Sequence, residues 1–184
     1  MPYKNSVVSK NMLNSNKFRR QFDNLSNDKN INRNVYYLAK QILEHRSGTK
    51  YEDLAYLDSK TGKTIVRTKR DIDLSCITTK EMYKFLNVID DYSIIGMHNH
   101  PGSSVPSIND LVVADKRKYL FGLVVCHNGN MYKYQIKNSE KFNIHIASLE
   151  LDVLQTDGYT KSVEEMYEDA GVTIEVITTE YTSN

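Results

Sequence analysis

This sequence predicts an α/β fold, and three observations carry that expectation. Val35, Leu38, Ala39, Ile42 and Leu43 recur at intervals of three and four, the period of an amphipathic helix. Ser59-Lys60-Thr61-Gly62 and His127-Asn128-Gly129-Asn130 are hairpin turns, each set between runs suited to strands. Two further apolar runs, Ile94–Met97 and Tyr119–Cys126, read as buried strands separated by helical patterns. The predicted order is α β β α β α β β, followed by an acidic extension.

Residues 1–30 are rich in Asn, Ser and Lys, and read as a basic tail or linker with one short helix. The domain proper is expected over 31–137. Its first helix spans 31–46, capped by Asn32 or Asn34 and ended by Ser47-Gly48. Residues 51–58 and 63–68 pair as a hairpin. Residues 69–78 read as a loop with a short strand around Leu74–Ile77. Thr79 caps a helix to about Val88 that turns Met82, Phe85, Leu86 and Ile89 inward. A strand then runs into His98, a Pro/Gly/Ser loop follows, and a helix covers Ser107 to about Arg117. Strands at Tyr119–Cys126 and Met131–Ile136 close the domain. In the acidic extension, 138–184, the alternation of Phe142, Ile144 and Ile146 predicts a strand. Leu149–Leu154 and Val163–Ala170 read as short helices, and Gly171–Ile177 as an edge strand.

The chain has 184 residues, 40% of them hydrophobic, enough to bury a core. No run approaches a membrane span, and the N-terminus lacks the apolar core of a signal peptide, so a cytoplasmic location is expected. Two cysteines, Cys76 and Cys126, lie beside apolar residues and read as buried thiols of a reducing compartment. The net charge of +1 conceals an asymmetry: residues 1–30 carry six Lys/Arg against Asp23 and Asp28, and residues 148–184 carry nine acids against Lys161. A near-neutral total with an acidic end argues against a nucleic-acid partner.

The chemistry concentrates at Tyr92–Leu111. His98 and His100 lie two apart at a strand end, so both imidazoles project from one face. Asp110 opens the helix that follows. Two His and one Asp make the ligand count of a catalytic zinc site, with the fourth position left for water. Asp110 also has a structural reading, since Ser107-Ile108-Asn109-Asp110 spells a capping box with Asp at N3. Ser107 is divided in the same way between an N-cap and a hydroxyl that faces the site. Hydrolysis at a zinc site needs a general base, and Glu44, Glu52, Asp53, Asp58 and Glu81 are the upstream carboxylates. Glu52 opens a central-looking strand, where an acid is less expected, although a Glu at a strand end usually faces solvent.

His98-Asn99-His100-Pro101 and Ser107-Ile108-Asn109-Asp110, with the upstream Glu52, resemble the JAMM/MPN+ (JAB-type) metalloprotease signature. The resemblance covers about residues 31–136 and looks closest to RadC-type and phage- or toxin-associated branches. It implies a JAMM/MPN (cytidine deaminase-like) fold, with a mixed, mostly antiparallel sheet flanked by helices. It implies zinc held by His98, His100 and Asp110, with Glu52 as general acid/base and Ser107 stabilising an oxyanion. It implies a zinc-dependent (iso)peptidase acting on a protein or peptide substrate, often a ubiquitin-like one. The alternative is a phage- or mobile-element-associated structural or binding module that keeps the metal with little catalysis. The loop from His100 to Asp110 is one residue shorter than the family's common spacing.

Overall fold

The computed structural model describes residues 7–69, 71, 79–158 and 170–177. Among them, six strands form one sheet in the order β2-β1-β3-β4-β5-β6. These are β1 (Leu54–Asp58), β2 (Thr64–Thr68), β3 (Ile94–His100), β4 (Phe121–Cys126), β5 (Met131–Ile136) and β6 (Val172–Ile177). β3 and β4 are parallel, and every other neighbouring pair is antiparallel. The sheet is therefore mixed and mostly antiparallel. Every residue of β3 and β4 is buried, as expected of central strands covered on both faces.

One face is covered by α1 (Lys10–Leu13), α2 (Asn16–Arg20) and α3 (Lys29–Arg46). Val35, Leu38, Ile42 and Leu43 of α3 pack there with Ala55, Leu57, Ile95, Met97, Leu123 and Val125. The basic N-terminal stretch joins this cluster, burying Val8, Leu13, Phe18, Phe22 and Leu25. Asp28, not Asn32 or Asn34, caps α3, its side chain accepting from the Asn30 N–H. Asn32 is instead buried within the helix. Its Oδ1 accepts from the Ser26 N–H at 2.9 Å and its Nδ2 donates to Asp23 O at 2.6 Å, pinning the segment before the helix.

The opposite face carries α4 (Lys80–Leu86), α5 (Ile108–Lys116) and α6 (Ile144–Asp157). Met82, Leu111, Ala114, Ala147, Leu151 and Leu154 meet Leu54, Tyr56, Val124, Tyr132 and Tyr134 there. Gly96 and Gly122 sit side by side on β3 and β4, and a Cβ on either would lie 2.3 Å from the Tyr119 ring or 2.1 Å from the Tyr134 ring. The missing side chains let both rings lie against the sheet immediately before His98.

The strand expected at Phe142–Ile146 is the start of α6. Asn143 caps it, accepting from His145 N and Ile146 N, and the buried Ala147, Leu151 and Leu154 follow at helical spacing. The expected strand at Leu74–Ile77, with Cys76, and the expected helix over residues 163–169 lie outside the described residues. The edge strand expected at 171–177 is β6, paired with β5. No described helix is long and apolar enough to cross a membrane.

Candidate metal centre

β3 delivers His98 and His100 to the α5 face of the sheet. Ser107 caps α5 and the capping box is complete: Ser107 Oγ accepts from the Asp110 N–H, and Asp110 Oδ2 accepts from the Ser107 N–H at 2.7 Å. The box fixes Asp110 with its second oxygen toward the histidines. His98 Nε2 lies 3.3 Å from Asp110 Oδ1, His100 Nε2 lies 3.9 Å from Oδ2, and the two Nε2 atoms are 3.0 Å apart. One donor atom from each of the three residues falls within 4.8 Å of the other two. The cap and ligand readings of Asp110 are therefore compatible: the cap orients the carboxylate that faces the imidazoles.

The short loop closes because it is tied down. Val105 N donates to Gln155 Oε1 of α6 at 3.0 Å, and Tyr132 Oη donates to Ser103 O at 3.3 Å. The Ser104 carbonyl accepts from His100 Nδ1 at 3.0 Å. A carbonyl only accepts, so the proton of neutral His100 belongs on Nδ1, which leaves the Nε2 lone pair for a cation. This is the usual way an outer hydrogen bond orients a metal-ligating imidazole.

The electrostatics favour positive charge at the same point. Burial alone would depress His98, but the charge and hydrogen bond of Asp110, with the charge of Glu52, outweigh it and raise its pKa. Burial also opposes ionisation of Asp110, yet His98, His100 and the Ser107 N–H hold its carboxyl well below the usual carboxylate range. Burial, and then the neighbouring His98, push His100 down to about 4. Two imidazole nitrogens and a carboxylate oxygen that together attract one positive charge suit a metal cation.

These shifts make the metal-free protein pH-sensitive. His100 is depressed from 6.5 to about 4, so the unfolded chain binds a proton that the folded one refuses, and stability falls as pH drops between those values. His98 is raised, so its contribution is complete below the ordinary value of 6.5 and is lost as pH rises through the folded value. Urea midpoints of chelator-treated protein are expected to fall from pH 6.5 toward 4, and His100→Gln should flatten that limb.

Ser107 Oγ also lies 2.8 Å from Asp110 Oδ2 and donates to it. Ser107→Ala is expected to cost about 1 kcal/mol through the lost cap. It should also weaken cation binding roughly 10- to 100-fold through the loosened carboxylate, as read by competition with a chelating dye.

The other candidate carboxylates separate clearly. Glu44 is half exposed and 4.0 Å from Lys40. Asp58 accepts from Thr61 N and Oγ1 in the hairpin turn. Glu81 lies in the first turn of α4. Asp53 is fully buried, with Oδ1 on Arg46 Nε at 2.5 Å and Oδ2 on Arg67 Nη2 at 2.5 Å and His45 Nδ1 at 2.9 Å. Glu52 precedes β1, which starts at Leu54 and not at Glu52. Leu54 faces His98 across the ladder, so the two residues before it come abreast of Asn99 and His100. Glu52 shares the parity of Leu54, which pairs with His98. Its charge acts on His98, and also on Cys126, whose thiol is raised to about 12, chiefly by burial. Two residues not singled out from sequence support the site: Ser104, through His100, and Asn99, between the histidines.

No family model, curated protein or solved structure matches the chain.

Proposed function

We propose that the protein is a zinc-dependent metallo-(iso)peptidase of the JAMM/MPN+ type. The observation that carries this reading is the convergence of His98 Nε2, His100 Nε2 and the Asp110 carboxylate on one point. The action of the Glu52 charge on His98 supports it. Zinc bound there supplies Lewis acidity and brings the pKa of a coordinated water to about 7.

The chain's own groups then account for the proton. The Glu52 carboxylate takes it from the attacking water as the water oxygen bonds to the substrate carbonyl carbon. The same carboxyl returns it to the amine nitrogen as the carbon–nitrogen bond breaks, leaving an acid and an amine. Burial of His98 and His100 keeps bulk water from competing for the ligand positions. Ser107 first orients Asp110, and donating to an oxyanion requires its hydroxyl to turn away from Asp110 Oδ2. That commitment of the hydroxyl favours the second reading, a phage- or mobile-element-associated binding module with a metal and little turnover.

The test is turnover by zinc-loaded protein on a panel of peptides and of lysine-linked isopeptides, including ubiquitin-like conjugates. Hydrolysis abolished by chelation and restored by zinc is the expected result. Zinc bound at full occupancy with no cleavage across the panel would favour the binding module.

A further inference from the structure

Resting on the hydrolase reading above, we infer that Asn99 is a positioning residue that sets Glu52 over the metal site. Asn99 lies between the two histidines, and its side chain points to the opposite face of β3. Its carboxamide is fully buried and makes three hydrogen bonds. Oδ1 accepts from the Asp53 N–H at 2.8 Å. Nδ2 donates to the Tyr51 carbonyl at 3.2 Å and to His127 Nε2 at 3.1 Å. A backbone N–H only donates and a carbonyl only accepts, so these partners fix which end of the amide faces which way.

Tyr51 and Asp53 are the residues on either side of Glu52. The ladder between β1 and β3 ends at Leu54 opposite His98. Where strand pairing stops, the Asn99 side chain takes over and ties both neighbours of Glu52 to the strand that carries the metal ligands. The Asp53 carboxylate is held in turn by Arg46 and Arg67, which anchors the segment from the far side. The result is a short backbone bridge clamped at both ends, with Glu52 at its centre and its charge acting on His98. Misplacing a reacting group by about 1 Å costs on the order of 100-fold in rate, so a clamp of this kind acts on turnover and leaves metal binding alone.

The test compares Asn99→Ala, Glu52→Gln and the double variant in the full chain. Asn99→Ser, smaller and still hydrogen-bonding, takes the place of Asn99→Ala if that variant does not melt cooperatively. Zinc stoichiometry and affinity, kcat and KM on a cleaved peptide, and amide hydrogen exchange at Asp53 are measured together. The expected results for Asn99→Ala are unchanged zinc binding, unchanged KM, a kcat lower on the order of 10- to 100-fold, and lost exchange protection at Asp53. The double variant should be no slower than Glu52→Gln alone, because Asn99 acts through Glu52. A wild-type kcat in Asn99→Ala, or penalties that multiply in the double variant, overturns the inference while the hydrolase reading stands. If the wild-type protein cleaves nothing, the hydrolase reading fails by itself. The clamp is then judged on the backbone: Asp53 protection and Glu52 backbone order, from nitrogen relaxation, that survive in Asn99→Ala overturn it, and their loss supports it.

Discussion

Glu52→Gln is expected to lower kcat on the order of 10²- to 10⁴-fold while the metal stays in place. Gln matches Glu in shape but cannot take a proton from water at neutral pH. Glu52 lies outside the candidate ligand group of His98, His100 and Asp110, so zinc stoichiometry should be unchanged. KM should also hold, because the lost interaction belongs to proton transfer and not to ground-state binding. The measurement is steady-state kinetics on whichever panel substrate is cleaved, with zinc determined on the same samples. An unaltered rate would remove Glu52 from the mechanism. Loss of zinc would make it a ligand.

The second large effect is on stability. Asp53→Ala is expected to cost about 3–5 kcal/mol, because it takes from the largely buried Arg67 the carboxylate that pairs it and leaves Arg46 with Asp71 alone. Asp53 is fully buried, and the Arg46 and Arg67 side chains are 3% and 11% exposed, so water cannot replace the lost carboxylate. Urea unfolding of metal-free protein reads the loss directly. The further variant Asp53→Ala/Arg67→Met, which removes the guanidinium that has lost its carboxylate, should recover part of it. Additive penalties in that pair would mean that the two groups are not coupled as their 2.5 Å contact implies.

Asp53 also shows where sequence reading stops. From the sequence it stands beside Glu52 as one of several acids near a strand start. Its partners are seven residues before it and fourteen after it, and only the packing of α3 against the β1–β2 hairpin brings Arg46 and Arg67 together. Asn32 is a second case. Its residue type suits a cap, but its amide is spent on the loop at Asp23 and Ser26, and Asp28 does the capping. The alternation of Phe142, Ile144 and Ile146 has a strand's period over too few residues. Asn143 and the helical spacing of Ala147, Leu151 and Leu154 decide for α6.

What was legible is local in the chain. The two-residue spacing of His98 and His100, the proline after them and the Ser107–Asp110 box fix a strand end and a helix start, and these elements form as expected. The Asn-Gly turn at Asn128-Gly129 likewise forms between β4 and β5, with Gly129 at a φ of +94°. The closure of a loop one residue short was not legible, since it depends on Gln155 and Tyr132 reaching Val105 and Ser103 from distant elements.

The most direct test of the central claim is calorimetric titration of zinc into chelator-treated protein, alongside His98→Ala, His100→Ala and Asp110→Asn. The expected result is one site per chain in the wild-type protein, with binding lost or weakened by orders of magnitude in each variant. A wild-type protein that takes up no zinc, or variants that bind it as the wild-type does, would contradict the claim that these three residues form a metal centre.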